Sequence, residues 1–280
     1  KGYEQTFVKR KPKLPPIKNV HDERNTMRRL LIWSACFILF NLALGLTAYL
    51  SGVRSPDTHW STANREPIGI APDPRTEQQA IVQVYAARAF SWRGYFGVHS
   101  WISVKPANAD HFTTYEVTGW RVRYGGNAVR ASRRAPDSRW FGSEPELLAE
   151  LRGEPASEAI VRLQTAIDAY DFNSIYTVWP GPNSNTFVAH LGRVLPELRL
   201  DLPPTAVGKD YLASGLWAKA PSGTGYQLSL MGLLGVMVAW EEGLELNILG
   251  LTYGIDLNDF SLKLPMIGRI GFSSKNAPSA

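Results

Sequence analysis

The chain has 280 residues, 44% of them hydrophobic, and 30 Lys and Arg against 25 Asp and Glu give it a net charge of +5, enough length for a sizeable core. Residues 1–29 hold nine basic and three acidic side chains, net +6, so the remainder sums to −1 and offers no nucleic-acid footprint. The single cysteine, Cys36, excludes disulfides, zinc ribbons, covalent haem attachment and any thiol nucleophile after it, and no complete metal or cofactor motif is present, so no cofactor is expected.

Residues 30–50, LLIWSACFILFNLALGLTAYL, are 21 positions without a charge. At about 1.5 Å per residue they make about 31 Å of helix, roughly the hydrocarbon thickness of a bilayer, and predict a transmembrane helix. A cleaved signal peptide would have a shorter apolar region, about 7–15 residues, closed by an Ala-x-Ala-like site. Arg28 and Arg29 at the start of the span make residues 1–29 a basic cytoplasmic segment by the positive-inside rule. Such a segment suits anionic lipid or the cytoplasmic face of another membrane protein. Asn41 is the strongly polar side chain of the span and either faces a neighbouring helix or protein surface or bonds its own backbone. Arg28, Arg29 and Asn41 are therefore the candidate contacts to membrane lipids and to other membrane-protein subunits.

Residues 51–74 are rich in Pro, Ser, Thr, Asn and Asp and read as a linker, which leaves 75–280 as the extracytoplasmic domain. Its first segment, EQQAIVQVYAARAF (77–90), repeats apolar residues at helical spacing and predicts a helix. Residues 95–106 and 112–124 predict an antiparallel hairpin. A five-residue loop (106–110) sets His99 opposite Val117 with Glu116 on the other face. A four-residue loop (107–110) sets His99 opposite Thr118 with Glu116 as its diagonal neighbour, and both registers fit the sequence. Two helices follow: Ser143 and Glu146 in SEPELLAELRG match a capping box, and EPASEAIVRLQTAIDAYDF has Pro155 in its first turn. A third starts at Asn183, Ser184 and Asn185 after a Trp-Pro-Gly-Pro turn, with Phe187, Val188, Leu191 and Leu195 on one apolar face. Residues 223–265 alternate short apolar runs with glycines and predict short antiparallel strands. Within them LSLMGLLGVMVAW (228–240) is too short to span and reads as buried sheet, with an interfacial or re-entrant segment as the alternative.

The strings YFGVHSWISVKPANADHFTTYEVTGW and YTVWPGPNSNTFVAHL resemble an uncharacterised bacterial membrane-associated family, DUF3750, over roughly residues 75–270. More distantly, their order is similar to circularly permuted papain-like hydrolases of the NlpC/P60 type, which carry a strand His and later an Asn-Cys pair at a helix start. The resemblance implies an α+β protein: one N-terminal transmembrane helix, then a papain-like domain with an antiparallel sheet. It also implies the bacterial inner membrane, with the main domain periplasmic. His99 matches the strand His, and Ser184, after Asn183, stands where those hydrolases carry the nucleophilic Cys.

That replacement matters, because a helix N-terminus stabilises negative charge by about 0.3–1 kcal/mol, which helps a thiolate form but does not ionise a hydroxyl. Ser184 then needs a general base in hydrogen-bonding contact. The resemblance supplies His99, and Glu116 is the residue to orient it, whereas His190 lies about 240° round the helix from Ser184 and points elsewhere. Ser184, His99 and Glu116 are the candidate catalytic residues under that reading. Otherwise Ser184 is a helix cap, His99 a hydrogen-bonded strand histidine and Glu116 a paired or solvated carboxylate. Arg121, Arg123, Arg130, Arg133 and Arg134 with His111 make a basic cluster that reads either as a solvated face or as a surface for acidic protein or lipid headgroups. Two functions follow. The first is a single-pass anchored, non-catalytic accessory or structural subunit of a larger membrane complex, energy-transducing or transport. The second is an envelope Ser/His hydrolase or acyl transferase acting on cell-wall, peptide or lipid amide or ester bonds.

Overall fold

The computed structural model describes residues 20–52, 59–212 and 214–271, so residues 1–19 of the basic segment lie outside the described residues. The chain divides into two units, Lys1–Ala43 and Leu44–Ala280. Most of one helix, α1 (Val20–Leu50), accounts for the described part of the first. Its stretch Arg24–Leu50 is long and apolar enough to cross a membrane and is almost wholly exposed. A core helix of a soluble protein would bury such a surface. Arg28 and Arg29 are exposed near its start, and Asn41 Nδ2 donates to the Phe37 carbonyl at 2.9 Å, a bond to its own backbone one turn back.

The larger unit is α+β with antiparallel sheets. The first sheet holds β1 (Ile81–Arg88), β2 (Val98–Lys105), β3 (Thr113–Val117), β4 (Val129–Arg133) and β5 (Glu146–Arg152), in the order β4-β3-β2-β1-β5. The helices of this part are α2 (Gly119–Arg123), α3 (Glu154–Asp168) and α4 (Ser184–Val194). Val82, Val84, Ile102, Val104 and Val117 on one face of the sheet form the main core with Leu163 of α3 and Phe187, Val188 and Leu191 of α4. The opposite face carries Tyr85, Ala87 and Trp101, packed with Trp140 and Leu147.

Two expected helices are strands. Residues 81–88 form β1, buried along nearly its whole length between β2 and β5, and an apolar run buried on both faces carries no usable period. The capping-box segment is β5, because pairing with β1 overrides the helix propensity of its Glu, Leu and Ala residues. Gln83 Nε2 donates across that pair to Glu150 at 2.5 Å, while Ser143 bridges Trp140 and caps nothing. The hairpin forms, but its second strand stops at Val117 and residues 119–123 turn into α2. Its register, Ile102 opposite Tyr115 and Ser103 opposite Thr114, continues to His99 opposite Thr118, so Glu116 is the diagonal neighbour of His99.

The second sheet is a meander in chain order: β6 (Trp217–Lys219), β7 (Gly225–Leu230), β8 (Leu234–Ala239), β9 (Gly243–Ile248), β10 (Leu251–Asp256), β11 (Ser261–Leu264) and β12 (Gly268–Ile270). The predicted strands are present, yet burial is inverted. The inward side chains are largely polar or small, among them Gln227, Glu245, Asn247, Asp256 and Lys263, all buried. Lys263 Nζ donates to Asp201 Oδ1, Glu245 Oε1 and the Glu242 carbonyl, each at 2.8 Å. Lys209 pairs with Glu245, and Asn247 Nδ2 donates to Asp210 Oδ2 at 2.6 Å. These partners offset the cost of burying charge. Outward, one cross-strand row runs Tyr226, Val238, Leu244, Ile255, Leu262, Ile270, and every member is exposed. The segment 228–240 is thus sheet, as expected, but Leu228, Leu230, Leu234, Val236 and Val238 point out of the domain, while Met237 and Ala239 are buried.

Candidate functional site

Alternation along β2 decides what its side chains can reach. Ser100, Ile102 and Val104 turn toward α4: Ser100 Oγ donates to Asn185 Oδ1 at 2.8 Å, and Ile102 and Val104 lie in the core that α4 shares. His99 and Trp101 turn to the opposite face.

On that face His99 is buried under aromatic rings, stacked on Trp140 at 3.7 Å between centroids, with Trp101 at 5.9 Å. Trp120 stacks on the same Trp140 at 6.1 Å. His99 Nε2 lies 3.1 Å from Glu116 Oε2, and Arg134 and Arg130 approach the same carboxylate at 3.7 and 4.0 Å. Burial pushes the imidazole below its ordinary value, against the opposing pull of Glu116. Burial also raises Glu116, but the His99 hydrogen bond and the Arg134 and Arg130 guanidinium groups outweigh it and hold the carboxyl below the usual range. A carboxylate only accepts, so Nε2 carries the proton and a neutral His99 donates to an ionised Glu116.

The start of α4 is built for holding. Asn183, not Ser184, is the N-cap: its Oδ1 accepts from the amides of Asn185 and Thr186 at 2.9 and 3.2 Å, and Thr186 Oγ1 accepts from the Asn183 amide at 3.1 Å, closing a capping box. Asn183 Nδ2 donates to the carbonyls of Val178 and Val207. Asn185 Nδ2 donates to those of Val98 and Val207, tying the helix to β2 and to the loop before the meander. Gly208, with φ of +96°, passes so close that a Cβ there would run into the Asn183 amide. Ser184 is the first helical residue and 3% exposed, so the turn before it does not present it to solvent. Among the described residues Ser184 Oγ makes no hydrogen bond.

The sheet therefore brings His99 and Glu116 together and holds Ser184 on its other face, beside Ser100 rather than His99. His190 packs against Tyr170, 5.5 Å between ring centroids, away from both. Arg130 and Arg134 of the predicted basic cluster are drawn to Glu116. Among the described residues no group of three or more His, Cys, Asp or Glu could hold a metal ion. Sequence reasoning missed Trp140, which reaches His99 from the segment between β4 and β5 and has no local pattern to announce it. It placed Asn185 at the helix start but not its bonds to Ser100, Val98 and Val207, which depend on residues far away in the chain.

The family model that matches this stretch, described as a protein of unknown function, DUF3750, covers residues 79–211. Those residues belong to the DUF3750 family. No curated protein and no solved structure matches the chain. The DUF3750 region holds the five-stranded sheet, α3, α4, His99, Glu116 and Ser184, and ends before β6, short of the residue 270 that the resemblance suggested. The apolar helix and the meander lie outside the matched stretch.

Proposed function

We propose that the chain is a single-pass membrane-anchored protein of the bacterial inner membrane, with a cytoplasmic N-terminus and a periplasmic DUF3750 domain. In this reading it serves as a non-catalytic accessory or structural subunit of a larger membrane complex, energy-transducing or transport. The domain is read as a papain-like hydrolase derivative that no longer reacts. The observation that carries the reading is the separation of His99 from Ser184 by the sheet, with the His99 ring held by buried Glu116 and the Ser184 hydroxyl without a base. Hydrolysis through Ser184 needs a base within about 2.6–3.2 Å of its hydroxyl. The exposed apolar helix supports the anchor, and Arg28 and Arg29 at its start support the orientation.

Gentle detergent extraction from the native membrane, followed by sizing and subunit identification, tests the role. Recovery in a stoichiometric complex is the expected outcome. A lone, monodisperse chain would overturn the subunit assignment.

A further inference from the structure

We propose that the outward face of the β6–β12 meander rests on the lipid bilayer, its apolar side chains immersed at the headgroup and acyl boundary. The inference rests on the membrane-anchor reading above and adds a second, monotopic contact to it.

Size is the first argument. Seven strands about 4.8 Å apart, up to six residues long at about 3.4 Å each, present roughly 600 Å². Soluble monomers rarely expose a contiguous apolar patch of more than a few hundred Å². Chemistry is the second. Along the row from Tyr226 to Ile270 the only polar side-chain atom is the Tyr226 hydroxyl, whereas a protein-binding face makes about one hydrogen bond per 100–200 Å². An aliphatic surface without donors or acceptors is matched by acyl chains, which have none either. Trp217 and Lys219 stand on the outward side at the β6 edge, where an amphipathic ring and a long cationic side chain reach the headgroup layer.

Continuity is the third argument and it selects lipid over a protein partner. Leu44 and Ala48, in the last turns of α1 and part of the larger unit, are buried against Met266, with Leu251, Tyr253 and Leu264 packed around them. Tyr253 pairs with Leu246 and Leu251 with Ile248, so these belong to the outward face. Leu44 and Ala48 lie inside the stretch that is long and apolar enough to cross a membrane. A surface that packs on those turns sits at their depth. The inverted burial of the meander follows: its charges turn inward to pair, and its apolar row turns to hydrocarbon.

The test uses the full chain in liposomes of phosphatidylethanolamine and phosphatidylglycerol. In a Cys36→Ser background, single cysteines at Leu246, Val238, Leu39 and Val161 carry an environment-sensitive fluorophore. Leu39 reports on the apolar helix and Val161 on an exposed face of α3. The expected result is blue-shifted emission at Leu246 and Val238, quenched more by lipids spin-labelled near the headgroup than by lipids labelled at the chain end. Val161 should stay water-like. Quenching at Leu39 with water-like emission at Leu246 and Val238 would overturn this inference alone, and no quenching at Leu39 would overturn the anchor. Blue-shifted Leu246 and Val238 that lipid labels fail to quench, with chain-to-chain crosslinks, would replace the bilayer by a second copy.

Discussion

At the level of single residues, the environment of His99 is set by one alternation in β2 and one register in the β2–β3 hairpin. The pairing with Glu116 fixes a pH dependence. His99 is held below its ordinary pKa, so the unfolded chain takes up a proton there first, and stability falls as pH drops below about 6.5. Glu116 is also held low; its contribution is complete above the ordinary glutamate value of about 4.3 and is lost as pH falls through the folded value. Both groups act in one direction. Thermal melts between neutral pH and pH 5 should show a falling midpoint, and His99→Phe should flatten that slope; an unchanged slope would contradict the assignment. Glu116→Gln should cost about 1.5–3 kcal/mol, the range for hydrogen bonds to charged groups, read as a shift in the denaturation midpoint.

At the level of elements, the start of α4 separates a cap from the residue beside it. Asn183→Ala should cost about 1–2 kcal/mol, because it removes the cap and two further backbone contacts, while Ser184→Ala should stay within about 0.5 kcal/mol. A reversed order in chemical denaturation would mean that Ser184 is the cap. Gly208→Ala should destabilise more than Ser184→Ala, since it combines a positive φ with a collision against Asn183. The same contrast explains how much was legible in the sequence. The helix at 184–194 announced itself through a polar start and four apolar residues at helical spacing, and α3 did so through Pro155. Strand β1 did not, because Val82 and Val84 pack on the helices while Tyr85 and Ala87 pack on Trp101, and a segment buried on both sides has no face to reveal. Nor did β5, whose Glu150 and Arg152 bond each other and also reach partners dozens of residues away, Gln83 and Glu77, which no local pattern announces. The meander was legible as strands, but nothing local says which alternate face turns inward; that depends on Asp201, Lys209 and Asp210, which lie outside it.

At the level of the whole molecule, the buried charges of the meander are the price of an apolar outer surface. Lys263 lies between Asp201, on the segment after α4, and Glu245 of β9. Lys263→Met should remove one of the two cations on each carboxylate, leaving Glu245 to Lys209 and Asp201 to Arg269, and cost up to about 3 kcal/mol, seen as an earlier loss of the meander's amides in hydrogen exchange. Protection equal to the parent chain would show that the network is dispensable. The molecule combines a helix fit for a membrane, a DUF3750 region whose sheet separates His99 from Ser184 of α4, and a meander with its polar side inward. Whether Ser184 reacts decides between a non-catalytic domain and an enzyme, and serine-directed fluorophosphonate labelling of the full, folded chain in detergent reads it out. No labelling is expected; labelling that disappears in Ser184→Ala would make the chain a serine hydrolase and overturn the non-catalytic reading.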